Sequence, residues 1–198
     1  MAIDQVHDLQ KVFRMILHSM SRPGTISSIE TIMEKADYRI PCNQAIWLTI
    51  MTLLDAEVTF HLLSEHHQGL IRKISEHTQA RYAPINEADY VIVLKDTDES
   101  AVLEAMECCK NGNLINPDQS STWIIESSQL TNDGQLMLTG PGIKTMCKLQ
   151  TCFTKSMWQA REKRTKEFPL GIDLIFADDD SQIVCVPRTT KTEMLEVK

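Results

Sequence analysis

The sequence predicts a three-layer α/β sandwich, in which a mixed, mainly parallel sheet gains an antiparallel hairpin towards the C-terminus. Strand-like and helix-like patterns alternate through the middle of the chain, as they do where parallel strands are joined by helices. The segments YVIVL (90–94) and TWIIE (122–126) are continuously apolar, which is typical of strands covered on both faces. Turn signals cluster late in the chain, where we expect hairpins. A chain of 198 residues can bury one sizeable core, so we expect a single domain over 1–198.

The first half begins with the clearest helical pattern, over 4–20. Its apolar side chains recur at the spacing of one helical face. They are Val6, Leu9, Phe13, Ile16, Leu17 and Met20. Pro23-Gly24 ends this helix in a turn, and a short strand is predicted within 25–29.

Three more elements follow before the buried strand 90–94. Residues 43–54 are apolar nearly all round, which predicts a buried helix with Asn43 as its N-cap. Residues 57–63 alternate like a strand, and 66–77 form a weaker helical pattern.

The second half continues with a helix over 96–112, which has an acidic first turn and Gly112 at its end. TNDG (131–134) predicts a turn across which 135–139 pairs back, and TGPG (139–142) predicts a second turn. Residues 152–166 predict a helix with Phe153, Met157 and Ala160 on one face. The basic residues around that face are interpreted as a solvated face, with an anion or partner surface as the alternative: Lys155, Arg161, Lys163, Arg164 and Lys166.

Composition excludes several functions. A net charge of −7 argues against a broad nucleic-acid or anionic-membrane surface, although a local basic pocket is still possible. No signal peptide or membrane span is visible, so we expect a cytoplasmic protein with its six cysteines reduced. Motifs for a P-loop, a dinucleotide fold or a metal site are absent from the sequence, and we expect no metal.

The last predicted hairpin, 172–186, carries an acid inside an apolar run and ends in Pro187-Arg188-Thr189-Thr190. Across the hairpin, Asp173 lies within reach of Arg188, so an ion pair is the first interpretation. The alternative is an anion site, because a guanidinium and two hydroxyls on a loop suit phosphate or phosphonate oxygens. The residues considered for such a ligand site or interface are Arg22, Asp55, Gly140, Gly142, Asp173, Arg188, Thr189 and Thr190.

Five segments resemble the PhnH family, a subunit of the bacterial carbon–phosphorus lyase system. They are FRMILHSMSRPGTI (13–26), LLDAEVTF (53–60), LTGPGI (138–143), FPLGIDLI (168–175) and VPRTTKTE (186–193). They span nearly the whole chain in the family's order. One segment, NGNLINPDQSSTWII (111–125), departs from the family pattern around Asn113 and Ser121-Thr122.

This resemblance implies a fold related to the large domain of PLP-dependent transferases, without the cofactor. It also implies a homodimer-forming protein that joins PhnG, PhnI and PhnJ. With PhnL, that group makes α-D-ribose 1-methylphosphonate 5-triphosphate from ATP and an alkylphosphonate, displacing adenine. In this picture PhnI carries the nucleosidase-like chemistry, and the PhnH-type subunit is accessory, with no catalytic residue or cofactor of its own.

Two other functions stay open. A free-standing enzyme of the PLP type would need a lysine for a Schiff base, and Lys95 at the end of strand 90–94 is the candidate. A small-anion binding module for phosphate, phosphonate or nucleotide would instead collect Arg22, Asp55, the 140–142 turn, Asp173 and Arg188.

Overall fold

The computed structural model describes residues 7–30, 40–66 and 69–195. The helices with defined bounds are α1 (His7–Ser21), α2 (Gln44–Leu53), α3 (Gly69–Thr78), α4 (Glu99–Cys108) and α5 (Lys155–Arg164). The strands are β1 (Ser27–Ser28), β2 (Thr59–Leu63), β3 (Arg81–Tyr82), β4 (Tyr90–Val93), β5 (Thr122–Glu126), β6 (Thr131–Thr139), β7 (Cys147–Gln150), β8 (Asp173–Ala177), β9 (Gln182–Val186) and β10 (Lys191–Met194). Residues 4–6 of the first predicted helix and 67–68 of the third lie outside the described residues.

In the described part of the chain, the strands form a large seven-stranded sheet and a small three-stranded one. The large sheet has the order β1-β9-β8-β5-β4-β2-β3. Strands β3, β2, β4, β5 and β8 are parallel, whereas β9 is antiparallel to both β8 and β1. The small sheet, β10-β6-β7, is antiparallel throughout. The predicted α/β class and the mixed, mainly parallel sheet are therefore confirmed.

Two apolar clusters cover the two faces of the large sheet. Helices α1, α2 and α3 pack on one face, where Ile92, Ile124 and Ile175 point. Helices α4 and α5 and the small sheet pack on the other, where Trp123, Leu174 and Phe176 point. Alternate residues of β4, β5 and β8 thus enter different cores, which explains why these strands read as continuous apolar runs. No described helix has the length and hydropathy to cross a membrane.

Local signals fixed several elements as predicted. Asn43 is the N-cap of α2, and its side-chain oxygen accepts the Ile46 N–H at 2.8 Å. The predicted hairpin of β8 and β9 forms, with Leu174 opposite Val186. On α1 the buried side is narrower than predicted, because Phe13 and Leu17 are exposed.

The predicted turn at 131–134 is wrong. These residues are the first part of β6, whose partners are β7 and β10 rather than β5. The register shifts between Thr131 and Leu136, so the Asn-Asp-Gly sequence forms an irregularity within a strand. A Cβ at Gly134 would lie 2.2 Å from the Leu149 carbonyl oxygen, so glycine serves the close approach of β7 here.

Candidate functional site

Asp173 and Arg188 form an ion pair at the start of β8, which confirms the first interpretation of the hairpin. The Arg188 Nη2 lies 2.5 Å and its Nε 3.1 Å from the Asp173 Oδ2, and the Arg188 backbone N–H donates to Oδ1 at 2.7 Å. The remaining terminal nitrogen, Nη1, donates to the Pro117 carbonyl at 2.7 Å. Each nitrogen of the Arg188 guanidinium therefore already has a protein acceptor, so this arginine is committed to holding loops together.

A cavity of about 1050 Å³ lies beside this ion pair. It is bounded by the second half of α5 and the residues that follow it, by the chain from Arg188 to Glu193, and by Thr139 and Pro141. Its charged lining consists of Arg161, Lys163, Lys166, Arg188 and Lys191, against Glu162 and Glu193. Cations outnumber carboxylates there, although the chain as a whole is acidic.

Arg161 on α5 is the buried charge of this cavity wall, with 1 % of its surface exposed. Its Nη1 donates to the Thr190 carbonyl at 2.9 Å and its Nη2 to the Pro187 carbonyl at 2.7 Å. Within the described residues, its Nε is buried and has no hydrogen-bond partner. Burial lowers the pKa of Arg161 to about 10, although Asp173 and Glu162 act in the opposite direction.

The prediction that Arg161 belongs to a solvated basic face is wrong. Met157, Trp158 and Arg161 are the buried residues of α5, at positions i, i+1 and i+4. Arg161 follows Met157 by four residues, so the two side chains lie on the same face of the helix. This spacing was the sequence signal that the Arg161 side chain faces inwards. The pattern of lysines and arginines around it concealed that signal.

Thr189 and Thr190 both line the cavity but differ in exposure. Thr189 is exposed, whereas Thr190 is buried and its backbone N–H closes a turn to the Pro187 carbonyl at 2.9 Å. The Thr190 hydroxyl has no hydrogen-bond partner among the described residues. The two threonines and Arg188, all predicted from sequence, therefore lie together at the cavity.

The glycines of the 139–142 turn are used for close backbone packing. Gly140 has φ +133° and a Cβ there would lie 3.0 Å from the Thr189 carbonyl oxygen. Gly142 has φ +83°, and a Cβ would lie 2.3 Å from the Ser21 carbonyl oxygen. The turn thus fits between loop 187–190 and the end of α1, and glycine is needed at both positions.

Arg22 and Asp55 do not line the cavity. Arg22 is exposed just after α1, and its backbone N–H bonds to the His18 carbonyl. Asp55 precedes β2, three strands away from β8, where its Oδ1 accepts the Glu57 N–H at 2.9 Å. The structure therefore brings together one part of the predicted set, around loop 187–190, and leaves these two residues outside it.

The opposite end of the parallel strands, where β4, β5 and β8 finish, carries a second polar cluster. Glu126 at the end of β5 accepts the Asn43 N–H at 2.6 Å and the Lys95 N–H at 3.1 Å. The Lys95 ammonium forms an ion pair with Asp179. Buried Asp178 accepts backbone N–H groups from Leu130, Asp180 and Gln182 at 2.9, 3.0 and 2.9 Å. These polar groups satisfy one another, and Lys95 lies at the end of the sheet away from the cavity.

Comparison with known proteins identifies the family. The family model described as "Bacterial phosphonate metabolism protein (PhnH)" matches residues 2–193. The chain is 28 % identical to "Putative C-P lyase subunit protein HtxG" of Stutzerimonas stutzeri, over 91 % of this chain and 84 % of that protein. It is also 28 % identical to "Alpha-D-ribose 1-methylphosphonate 5-triphosphate synthase subunit PhnH" of Rhizobium meliloti (strain 1021), over 96 % of this chain and 92 % of that protein. The chain belongs to the PhnH family of bacterial phosphonate metabolism proteins.

Proposed function

We propose that this protein is an accessory subunit of a bacterial carbon–phosphorus lyase system. In that role it supports the formation of α-D-ribose 1-methylphosphonate 5-triphosphate from ATP and an alkylphosphonate. The observation that carries the proposal is the family match over residues 2–193, together with two relatives named as subunits of such systems and aligned over most of their length.

The contacts of the predicted site residues support an accessory role. Asp173 and Arg188 are held by each other, and Arg188 also holds Pro117. Gly140 and Gly142 serve backbone packing. Groups committed in this way shape a surface and do not supply a free acid, base or nucleophile. We therefore propose that the end of the large sheet around loop 187–190 contacts a ligand or a partner, with chemistry supplied by another subunit.

Exposed apolar side chains support assembly with other chains. Leu114, Ile115 and Phe168 are each more than 70 % exposed, and Phe13 and Leu17 form an i, i+4 pair on the outer side of α1. Large apolar side chains left exposed on a folded chain are candidates for interaction surfaces. We propose that they contact a second copy in a homodimer and PhnG-, PhnI- and PhnJ-type partners in the larger complex.

Further parts of the proposal concern the fold and the compartment. We propose one domain over 1–198, a fold related to the large domain of PLP-dependent transferases, and a cytoplasmic location. A catalytic PLP lysine is not part of it, because Lys95 is engaged by Asp179 and lies at the end of the sheet away from the cavity.

Co-expression tests the subunit role. The tagged protein would be produced with PhnG-, PhnI- and PhnJ-type chains of one bacterium, purified through the tag, and examined by native mass spectrometry. We expect a stoichiometric complex that contains all four chains. Ile115→Ser is expected to weaken that complex, with Lys148→Ser on the small sheet as the surface control. Recovery of a complete partner complex without this chain, alongside free tagged protein, would contradict the proposal.

A further inference from the structure

Among the described residues, the cavity beside α5 contains a buried cation with no carboxylate in direct contact. Arg161 has five N–H donors, and carbonyl oxygens of Thr190 and Pro187 accept from two of its nitrogens. Among the described residues, none places a carboxylate oxygen within 4 Å of its guanidinium. A buried charge is costly unless it is paired, so the wall of this cavity lacks an anion.

Thr190 supplies a second, independent indication on the same wall. Its side chain is buried and its hydroxyl has no partner within the described residues, although a buried hydroxyl ordinarily has one. The carbonyl of the same residue accepts from the Arg161 Nη1, so Thr190 and the Arg161 guanidinium are in direct contact on this wall. A guanidinium and a hydroxyl on one cavity wall are both hydrogen-bond donors that suit the oxygens of a tetrahedral oxyanion.

From these groups we propose that the cavity is a binding site for an organic phosphate or phosphonate, with Arg161 and Thr190 as the buried residues that contact its anionic group. Thr190 was among the residues considered for a ligand site, whereas Arg161 entered the sequence analysis only within the basic helix 152–166. The proposal does not depend on the assembly role, because the isolated protein would bind such a ligand.

The rim of the cavity fits such a ligand. Lys163, Lys166 and Lys191 are exposed and have no ion-pair partner among the described residues, so they attract a polyanion towards Arg161. Phe168 and Pro141 offer apolar surface for the rest of the molecule. A volume of about 1050 Å³ is at the upper end for small-molecule sites. It therefore holds a body as large as a nucleotide.

Arg164 provides a matched control on the same helix. Its Nη1 and Nη2 donate to the carbonyls of Glu107 and Cys109 at 3.3 and 2.6 Å, and its buried Nε also lacks a partner. It does not line the cavity. Arg164→Lys therefore removes the same kind of loop contact as Arg161→Lys without touching the proposed site.

Isothermal titration calorimetry on the isolated full-length protein tests the proposal. The probes are ATP, methylphosphonate and inorganic phosphate, with adenosine as the neutral control. We expect ATP or methylphosphonate to bind and adenosine alone to give no heat. Arg161→Lys should weaken binding at least tenfold, Thr190→Val about threefold to tenfold, and Arg164→Lys less than twofold. These factors correspond to losing a charged or a neutral hydrogen bond to the ligand.

Several outcomes would overturn the site. They are the absence of heat with every anionic probe, unchanged binding by Arg161→Lys, or an equal loss in Arg164→Lys. If Arg161→Lys fails to fold, Thr190→Val decides, because it preserves the shape of a buried side chain and removes only the hydroxyl. The comparison of ATP with methylphosphonate tells whether the bound group comes from a nucleotide or from a small phosphonate. Co-purification with partner chains is a separate measurement, so failure here leaves the assembly role testable.

Discussion

The two ends of the parallel strands differ in how their polar groups are satisfied. Where β5 and β8 finish, Glu126 and Asp178 accept five backbone N–H groups between them, and Lys95 pairs with Asp179. Where β8 begins, Arg161 and Thr190 keep unsatisfied donors beside a large cavity. The first end is closed by its own hydrogen bonds, whereas the second retains capacity for a ligand.

This arrangement reverses the usual rule for α/β proteins, in which ligands bind outside the carboxyl ends of parallel strands. The antiparallel strand β9 accounts for the reversal. Because β9 runs against β8, the loop that follows it, residues 187–190, emerges beside the start of β8. The cavity is therefore still lined by a loop at the carboxyl end of a strand. That strand is β9, which runs antiparallel to β8.

The largest effect on stability is expected from Asp178→Ala, which removes hydrogen bonds at the end where β5 and β8 finish. Asp178 is 0 % exposed and accepts three backbone N–H groups, which would lose their acceptor. We expect the free energy of unfolding to fall by about 3 kcal/mol, and the melting temperature by roughly 6–12 °C. Urea unfolding monitored by circular dichroism measures the change in the free energy of unfolding. Asp180→Asn, two residues further on in the exposed turn, should change stability by less than about 0.5 kcal/mol. Equal effects for the two variants would mean that the hydrogen bonds of Asp178 do not hold this end closed.

A smaller effect is expected at the other end from Arg188→Met. The substitution removes the ion pair with Asp173 and the contact to Pro117, both partly exposed to solvent. We expect a loss of about 2 kcal/mol in the same unfolding experiment, because a half-buried carboxylate loses its partner. Arg188→Lys should recover part of this loss, since it keeps the charge but cannot reach both partners. If Arg188→Met were as stable as the wild type, the ion pair of Asp173 and Arg188 would not contribute to the stability of the fold.

The smallest effect is expected from Asp179→Asn at the closed end. The Lys95–Asp179 pair is exposed, with 57 % of the aspartate side chain accessible. Exposed ion pairs contribute less than about 1 kcal/mol and are screened by salt. Unfolding in low salt and in about 1 M salt should give a difference between mutant and wild type that disappears at the higher ionic strength. A large, salt-independent loss would place Asp179 in the buried network instead.

The fold was largely predictable because its main signals are local. The continuous apolar runs of β4 and β5, the N-cap Asn43 and the hairpin of β8 and β9 each follow from a few neighbouring residues. The small sheet was harder to predict from the sequence. Strands β7 and β10 are short and half exposed, so they lack a periodic apolar pattern. The Asn-Asp-Gly of β6 reads as a turn in sequence, and only the approach of β7 shows otherwise.

The candidate site was predictable in part for a related reason. Asp173 and Arg188 are close along one hairpin, so sequence spacing was enough to pair them. Arg161 meets loop 187–190 only in the folded chain, 26 residues from Pro187 and 29 from Thr190. Its burial depends on which side of α5 faces the core. Because basic residues occur all around this helix, the sequence does not indicate which of them is buried. Asp55 was included in the predicted site because it follows a predicted helix, as ligand-binding loop residues often follow an element. That position does not indicate which strand of the sheet lies beside it.

The contact from Arg188 to Pro117 has a consequence for the surface of the protein. Pro117 belongs to the same loop as Leu114 and Ile115, and Ile115 is 87 % exposed. A Cβ at Gly112 would lie 2.8 Å from the Pro117 carbonyl oxygen, so the two sides of the loop pack closely there. The Arg188 guanidinium therefore links the β8–β9 hairpin to the base of this apolar loop. A substitution of Asp173 that frees Arg188 is therefore expected to loosen the anchoring of this loop as well as the hairpin.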